Sequence, residues 1–352
     1  MTSSSNPTKK IKTIRSAFVN QLFNFVHKTG IIRWGRRFSA NTLTVINYHR
    51  VEELNQPGFD SFLPNISADP TTFAQQMDYV ARWFNVVSQK EIVKWLEGKG
   101  KLPPHAALIT FDDGYLDNYT HAYPILRQHN FPAVIFLTTE HIATDVHFYW
   151  DMAAYCFFHT KHDHILFPNG KEQAWSNPTE REQVCKTWIE SMKNLPDDEK
   201  QIWVNRLPEQ IEVTLPLNYF RNLMLNWDQI REMQMAGIEF GGHTMHHPIL
   251  SRISLQQAQD EIEGSKTRIE KELGEPVLGF AYPNGMSDDL NLQIQNLVKQ
   301  AGYQVAFTLK NGPSPFHEVR SNPYAIRRIF ISHRHTLPRF SVEVCWFNRF
   351  RG

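Results

Sequence analysis

Two short segments of this 352-residue chain carry residue types that could hold a cation and activate water. The first is Thr110-Phe111-Asp112-Asp113-Gly114-Tyr115, which follows the apolar run 106–110. It therefore falls at the C-terminal end of a predicted strand, where α/β folds gather their catalytic loops. Two adjacent carboxylates cannot point the same way, so one can ligate a cation while the other works beside it. An Asp-Gly pair is also a common turn, and this segment alone does not decide between the two. The second is Gly241-Gly242-His243-Thr244-Met245-His246-His247-Pro248, again just after a predicted strand. His243 and His247 lie four apart, a spacing that lets two imidazoles converge on one metal. No glutamate follows His243, which excludes the zinc-protease pattern H-E-x-x-H. Three histidines in five residues after two glycines favour ligands over a plain polar loop. Together the segments supply one carboxylate and two imidazoles, with positions left open for water and substrate. That set suits one divalent ion: zinc, iron, nickel or cobalt.

The elements that must position these residues are legible from periodicity. Residues 43–48 read as a buried strand, followed by helices at 71–84 and 89–98. Strand 106–110 carries the aspartates, and helix 119–129 and strand 132–138 follow it. After the middle of the chain the alternation resumes with strand 238–240, helix 254–273, strand 277–282, helix 288–301 and strand 305–308. Strand–helix alternation predicts an α/β fold with parallel strands. Residues 141–226 break the rhythm and are helical where periodic, as at 180–195. They read as a mainly helical insertion over one face of the sheet. The expected organisation is a basic N-terminal segment 1–40, a domain 41–340 containing the insertion, and a tail 341–352.

Composition removes several function classes. Net charge is +1, so no electrostatic case for nucleic acid exists. Cys156, Cys185 and Cys345 lack any C-x-x-C spacing, which argues against a disulfide framework or thiolate zinc site. No stretch approaches the roughly 20 apolar residues of a membrane span. The N-terminal segment has no smooth apolar run, does not read as a signal peptide, and so predicts a cytoplasmic location. From Met1 to Val51 there is no acidic residue, while residues 1–40 carry eight Lys or Arg. With Phe18, Leu22, Phe25 and Val26 the segment is amphipathic. It predicts either peripheral contact with an anionic membrane, at its inner face, or packing on the domain with the charges in water.

The two motifs, in this order, resemble the signature of the polysaccharide deacetylases of the NodB-homology type, T-F-D-D-G with H-[S/T]-x-x-H. Softer matches are Tyr48-His49-Arg50-Val51, Trp227-Asp228, residues 280–285 (Phe-Ala-Tyr-Pro-Asn-Gly), and Gly302-Tyr303 ahead of Ala306-Phe307-Thr308. The resemblance covers about 42 to 340, excepting the insertion. It implies a distorted, incomplete (β/α) barrel with its site at the C-terminal mouth. It further implies a metal ion, zinc first, on Asp113, His243 and His247, with Asp112 as general base. A backbone N–H at Asn284 would stabilise the oxyanion, and Tyr115 and Tyr282 would bind substrate. An amide leaving group needs a general acid. Many relatives use a late histidine, for which His333 and His335 are candidates. The Tyr-His-Arg-Val segment instead resembles that of poly-N-acetylglucosamine deacetylases, which favours His49.

The chain departs from the family where many members have R-P-P-Y-G: residues 281–285 read Ala-Tyr-Pro-Asn-Gly. The arginine that steadies the base is absent there, and Arg50 or Arg328 could replace it in space. The D-x-x-D-W motif is not recognisable either. The implied activity is hydrolytic deacetylation of an N-acetylated sugar in a glycan or glycan precursor. The alternatives are an O-acetyl carbohydrate esterase and a silent carbohydrate-binding protein on the same fold.

Overall fold

The computed structural model describes residues 21, 23–27, 29, 40–54 and 59–345. Seven parallel strands form the centre: β1 (Thr42–Tyr48), β2 (Ala106–Phe111), β3 (Val134–Leu137), β4 (Glu239–Gly242), β5 (Gly279–Ala281), β6 (Val305–Asn311) and β7 (Ile326–Phe330). They pair in the order β1-β7-β6-β5-β4-β3-β2, and β2 returns to β1, which closes the ring. The ring is thus one strand short of the eight of a complete (β/α) barrel. Its distortion is local. β1 and β2 share a six-residue register, whereas β4 and β5 meet through Gly242 and Phe280 alone. Every residue of β1 and of β2 is buried, as expected for strands packed on both faces.

Helices wrap this ring and start where the sequence caps them. In α1 (Pro70–Trp83), Asp69 accepts from the Thr72 N–H at 2.9 Å and Pro70 needs no donor partner. α2 (Gln89–Leu96) opens with a capping box between Ser88 and Glu91. In the expected helix 119–129, residues Asn118–Ala122 wind as a π turn before an α-helix Tyr123–His129. Pro124 has no N–H to give the preceding turn, which loosens it there.

The insertion contains α3 (Tyr149–His159), α4 (Pro178–Met192) and α5 (Asp197–Gln210). A hairpin, His164–Leu166 with Glu172–Ala174, adds a β element the periodicity did not reveal. Trp188 is fully buried and joins the same apolar cluster as the barrel, so the insertion packs on the domain. α6 (Leu255–Leu273) then buries Ala258, Ile262, Ser265 and Ile269, one helical stripe. The last described helix, α7 (Leu337–Cys345), buries Phe340, Val342 and Val344, so the domain runs past the boundary expected at 340.

The described part of the N-terminal segment is helical. Val26 is buried, and His27 Nδ1 lies 2.8 Å from Ser341 Oγ, while Phe25 is exposed. This portion packs on α7. Phe18 and Leu22, with the eight basic residues of the membrane-contact expectation, lie outside the described residues.

Candidate metal and catalytic centre

The C-terminal ends of the strands bring the two motifs together. Asp112 and Asp113 leave β2, His243 and His247 leave β4, His49 leaves β1, and Asn284 follows β5. His243 Nε2 and His247 Nε2 each lie 3.6 Å from Asp113 Oδ1. The three ligand atoms lie within 4.8 Å of one another. His243 Nδ1 faces the Ala281 carbonyl at 2.7 Å, so this nitrogen carries the proton and Nε2 keeps its lone pair. Both Asp113 oxygens are buried and neither has a hydrogen-bond partner. The nearby Asn65 amide approaches Asp113 but donates to the Tyr115 hydroxyl, at 3.0 Å.

The electrostatics agree with a cation site. Burial, with Asp112 and Asp151 beside it, pushes Asp113 well above the ordinary carboxylate range. Burial draws both imidazoles down, His247 furthest, so they are neutral and free to ligate. A buried carboxylate without a donor is costly, and a divalent cation removes that cost. These three residues therefore fit a metal ion.

Backbone strain gathers at the same place. Asp113 (φ 77°), Thr244 (φ 69°), His247 (φ 61°) and Asn284 (φ 59°) all adopt left-handed conformations that non-glycine residues rarely occupy. Gly242 has a steric role, since a Cβ there would meet the Tyr303 hydroxyl at 2.1 Å.

Asp112 is held differently from its neighbour. Arg328, fully buried on β7, grips it with Nη1 at 2.6 Å from Oδ1 and Nη2 at 2.8 Å from Oδ2. Asn47 of β1 donates to Oδ2 at 3.2 Å and accepts from Arg328 at 2.9 Å. Burial, the largest influence, would raise the Asp112 pKa, but Arg328 with His243 and His49 together outweigh it, and the carboxyl falls to about 2. Of the two arginines the sequence offered, Arg328 takes this position. Arg50 pairs with Asp117 at 2.8 Å and Glu52 at 2.9 Å.

His49 Nε2 stands 3.9 Å from Asp112 Oδ2, and burial lowers its pKa to about 4. His335 does not join the group, being bound to Glu343 at 2.7 Å and to Ser332. His333 donates its backbone N–H to Ile66. Tyr115 and Tyr282 do not meet the expectation of substrate contact. Tyr115 is 0% exposed, with its hydroxyl donating to Asp151 and accepting from Trp150 and Asn65. Tyr282 is 1% exposed and donates to the Tyr324 carbonyl. Both hydroxyls are satisfied inside the protein, so these residues support the loops.

Sequence reasoning missed Asn47, Trp150 and Asp151. Asn47 had a signal, because strand alternation puts it on the same face as His49. Trp150 and Asp151 come from the insertion, which carries no motif. Trp150 sets its ring edge-on to His247, 5.0 Å between centroids.

A closed α/β ring with a carboxylate–imidazole set and an arginine-held aspartate at its C-terminal mouth defines a barrel hydrolase with a candidate metal centre. The chain belongs to the polysaccharide deacetylase family, whose model matches residues 99–306. Among curated relatives, the poly-β-1,6-N-acetyl-D-glucosamine N-deacetylase of Staphylococcus epidermidis is 27% identical over 234 residues, covering 58% of this chain and 73% of that one. The Staphylococcus aureus protein of the same name is 24% identical over 226 residues, with the same coverage. Among solved structures, the Streptococcus pyogenes deacetylase PplD matches with a TM-score of 0.56 at 17% identity, covering 86% of this chain and 98% of that one. IcaB from Ammonifex degensii matches with a TM-score of 0.53 at 19% identity, covering 86% and 97%. These structural likenesses support the fold.

Proposed function

We propose that this protein hydrolyses the acetyl group from an N-acetylated sugar within a glycan, with one divalent ion, zinc first, held by Asp113, His243 and His247. The observation that carries the reading is Asp113. Its buried carboxylate has no hydrogen-bond partner, and it faces two neutral imidazoles beside a second aspartate fixed by Arg328. When bound, the ion supplies Lewis acidity, acidifying a water and polarising the acetyl carbonyl.

The chain's own residues do the rest. Asp112 is ionised and aimed by the Arg328 fork, so it accepts the proton of the attacking water. The Asn284 backbone N–H is the oxyanion donor in this scheme, and Asn284 shares a cleft with His247. His49 delivers a proton to the departing amine. His49 Nε2 stands 3.9 Å from Asp112 Oδ2, so the proton that Asp112 takes from water passes within the pair to the leaving group. The relatives named for poly-β-1,6-N-acetyl-D-glucosamine make that polymer the first substrate to try.

The test is acetate release from a β-1,6-linked N-acetylglucosamine oligomer. Activity is expected to vanish with a chelator and return with zinc. Equal release with and without chelator refutes the metal reading. Release from O-acetylated but not N-acetylated sugar replaces it with the esterase. His49→Ala separates the two further, since an alcohol leaves with less help from an acid than an amine does.

A further inference from the structure

The candidate ligands sit on two loops, one leaving β2 and one leaving β4, with β3 between those strands in the ring. The chain just after β3 joins the loop backbones. The Thr138 N–H reaches the Asp113 carbonyl at 3.4 Å, and the Thr139 N–H reaches that of Thr244 at 3.2 Å. The side chains need a tie of their own, because a metal site tolerates displacements of only about 0.5 Å.

One side chain makes it. Trp150, on the first turn of α3, is 8% exposed and touches both loops. Its Nε1–H donates at 2.8 Å to the hydroxyl of Tyr115, two residues beyond Asp113. Its ring stands at 77° to that of His247, with 5.0 Å between centroids. Phe148, stacked on Trp150 at 4.5 Å, meets the rings of His247 and Tyr115 at 5.6 Å each. A hydrogen bond to the Ala281 carbonyl turns His243, whereas aromatic rings turn His247.

Resting on the metal reading, we propose that Trp150 is a positioning residue that holds the two ligand loops in register for a divalent ion. Asp151 locks the joint. It takes the Tyr115 hydroxyl proton at 2.8 Å, which commits the hydroxyl lone pairs to the donors of Trp150 and Asn65. The far end of the insertion closes the other side. Met224 forms an antiparallel bridge with Tyr115, and the Leu225 N–H donates to the Gly114 carbonyl at 3.0 Å. The region that interrupts the barrel pattern is therefore what braces the metal loops of the barrel.

The experiment strips the full chain of metal and titrates it with Co(II), whose visible spectrum reports ligand geometry. Trp150→Phe keeps a ring beside His247 and loses the donor. It should weaken Co(II) binding by about 10-fold, the lower end of what losing a group that orients a ligand costs, and shift the visible band. Tyr115→Phe removes the same hydrogen bond, so the double variant should weaken binding by less than the product of the two single effects. Trp188→Phe is the control for general loosening. It alters another buried tryptophan of the insertion and should leave binding and spectrum unchanged. No substrate is present, so a role of Trp150 in substrate contact would move neither reading. Co(II) affinity and spectrum equal to wild type in Trp150→Phe overturn the proposal, as does an equal change in Trp188→Phe. Amide hydrogen exchange of residues 113–116 and 243–248 is measured on the metal-free proteins in parallel, and should be faster in Trp150→Phe than in wild type or Trp188→Phe. A wild type that binds no Co(II) refutes the metal reading, and the exchange then decides whether Trp150 holds the loops: equal rates in wild type and Trp150→Phe overturn it.

Discussion

The two ends of the barrel each hold a carboxylate, half-buried at one end and fully buried at the other, and they treat it in opposite ways. At the N-terminal end, Glu239 accepts from the backbone N–H groups of Gln89 at 2.6 Å and Lys90 at 3.0 Å, where α2 begins. Both oxygens are satisfied, and the contact ties a helix to a strand. At the C-terminal end, Asp113 has no donor for either oxygen. Its backbone is also left-handed, as at Thr244, His247 and Asn284. The difference teaches how to separate a structural acid from a functional one. A carboxylate that holds the fold is matched by donors of the protein, whereas a buried one that waits for a ligand is left unmatched and strained.

The comparison can be broken by mutation, and the largest effect belongs to the unmatched end. Asp113→Ala should reduce both metal content and acetate release to background. The metal-free variant should melt no lower than metal-free wild type, because an uncompensated buried acid has been removed. A clear drop in the melting temperature of the metal-free form would show that Asp113 is a structural residue after all.

Arg328→Lys comes next. It keeps the charge but loses the two-pronged grip on Asp112, and kcat should fall by about 10- to 100-fold with metal retained. With that grip weakened, Asp112 rises from about 2 toward ordinary carboxylate values, so the acid limb of the pH–rate profile should move to higher pH. A profile that keeps its acid limb in place would remove Arg328 from the account.

Glu239→Gln tests the matched end. The amide still accepts one N–H but not two, and stability should fall by about 1 kcal/mol with kcat within about twofold of wild type. Denaturant unfolding and steady-state kinetics read the two quantities separately. A large loss of turnover would erase the contrast between the ends.

The smallest effect on catalysis is expected at the N-terminus. Deleting residues 1–20 spares Val26 and His27, which pack on the domain, and should leave kcat unchanged. The deletion removes Lys9, Lys10, Lys12 and Arg15, each worth about 1 kcal/mol near an anionic leaflet. We therefore expect it to abolish low-salt sedimentation with anionic vesicles. Sedimentation that survives the deletion, or is absent in the full chain, counts against membrane contact.

The barrel and the Asp113, His243 and His247 cluster were legible because both obey short-range rules. Strand periodicity put the aspartates and histidines at strand ends, and four-residue spacing brought His243 and His247 together. Arg328 was harder, because a basic run at 327–339 reads as surface. Nothing local says that one of its arginines fills the barrel interior against Asp112. Tyr115 and Tyr282 stand beside the motifs, yet their burial depends on Asp151, Trp150 and Tyr324, partners distant in sequence. The insertion was least legible. Its helices were partly visible, but which of its side chains reach His247 is decided by how it packs on the barrel.

The central claim is that adjacent aspartates divide the labour, Asp113 holding the metal and Asp112 moving the proton. It is tested most directly by measuring zinc content and turnover on one preparation of Asp112→Asn. The account predicts about one zinc per chain, as in wild type, with kcat lower by about 10²- to 10⁴-fold. Zinc lost as completely as in Asp113→Ala, or turnover near that of wild type, would contradict it.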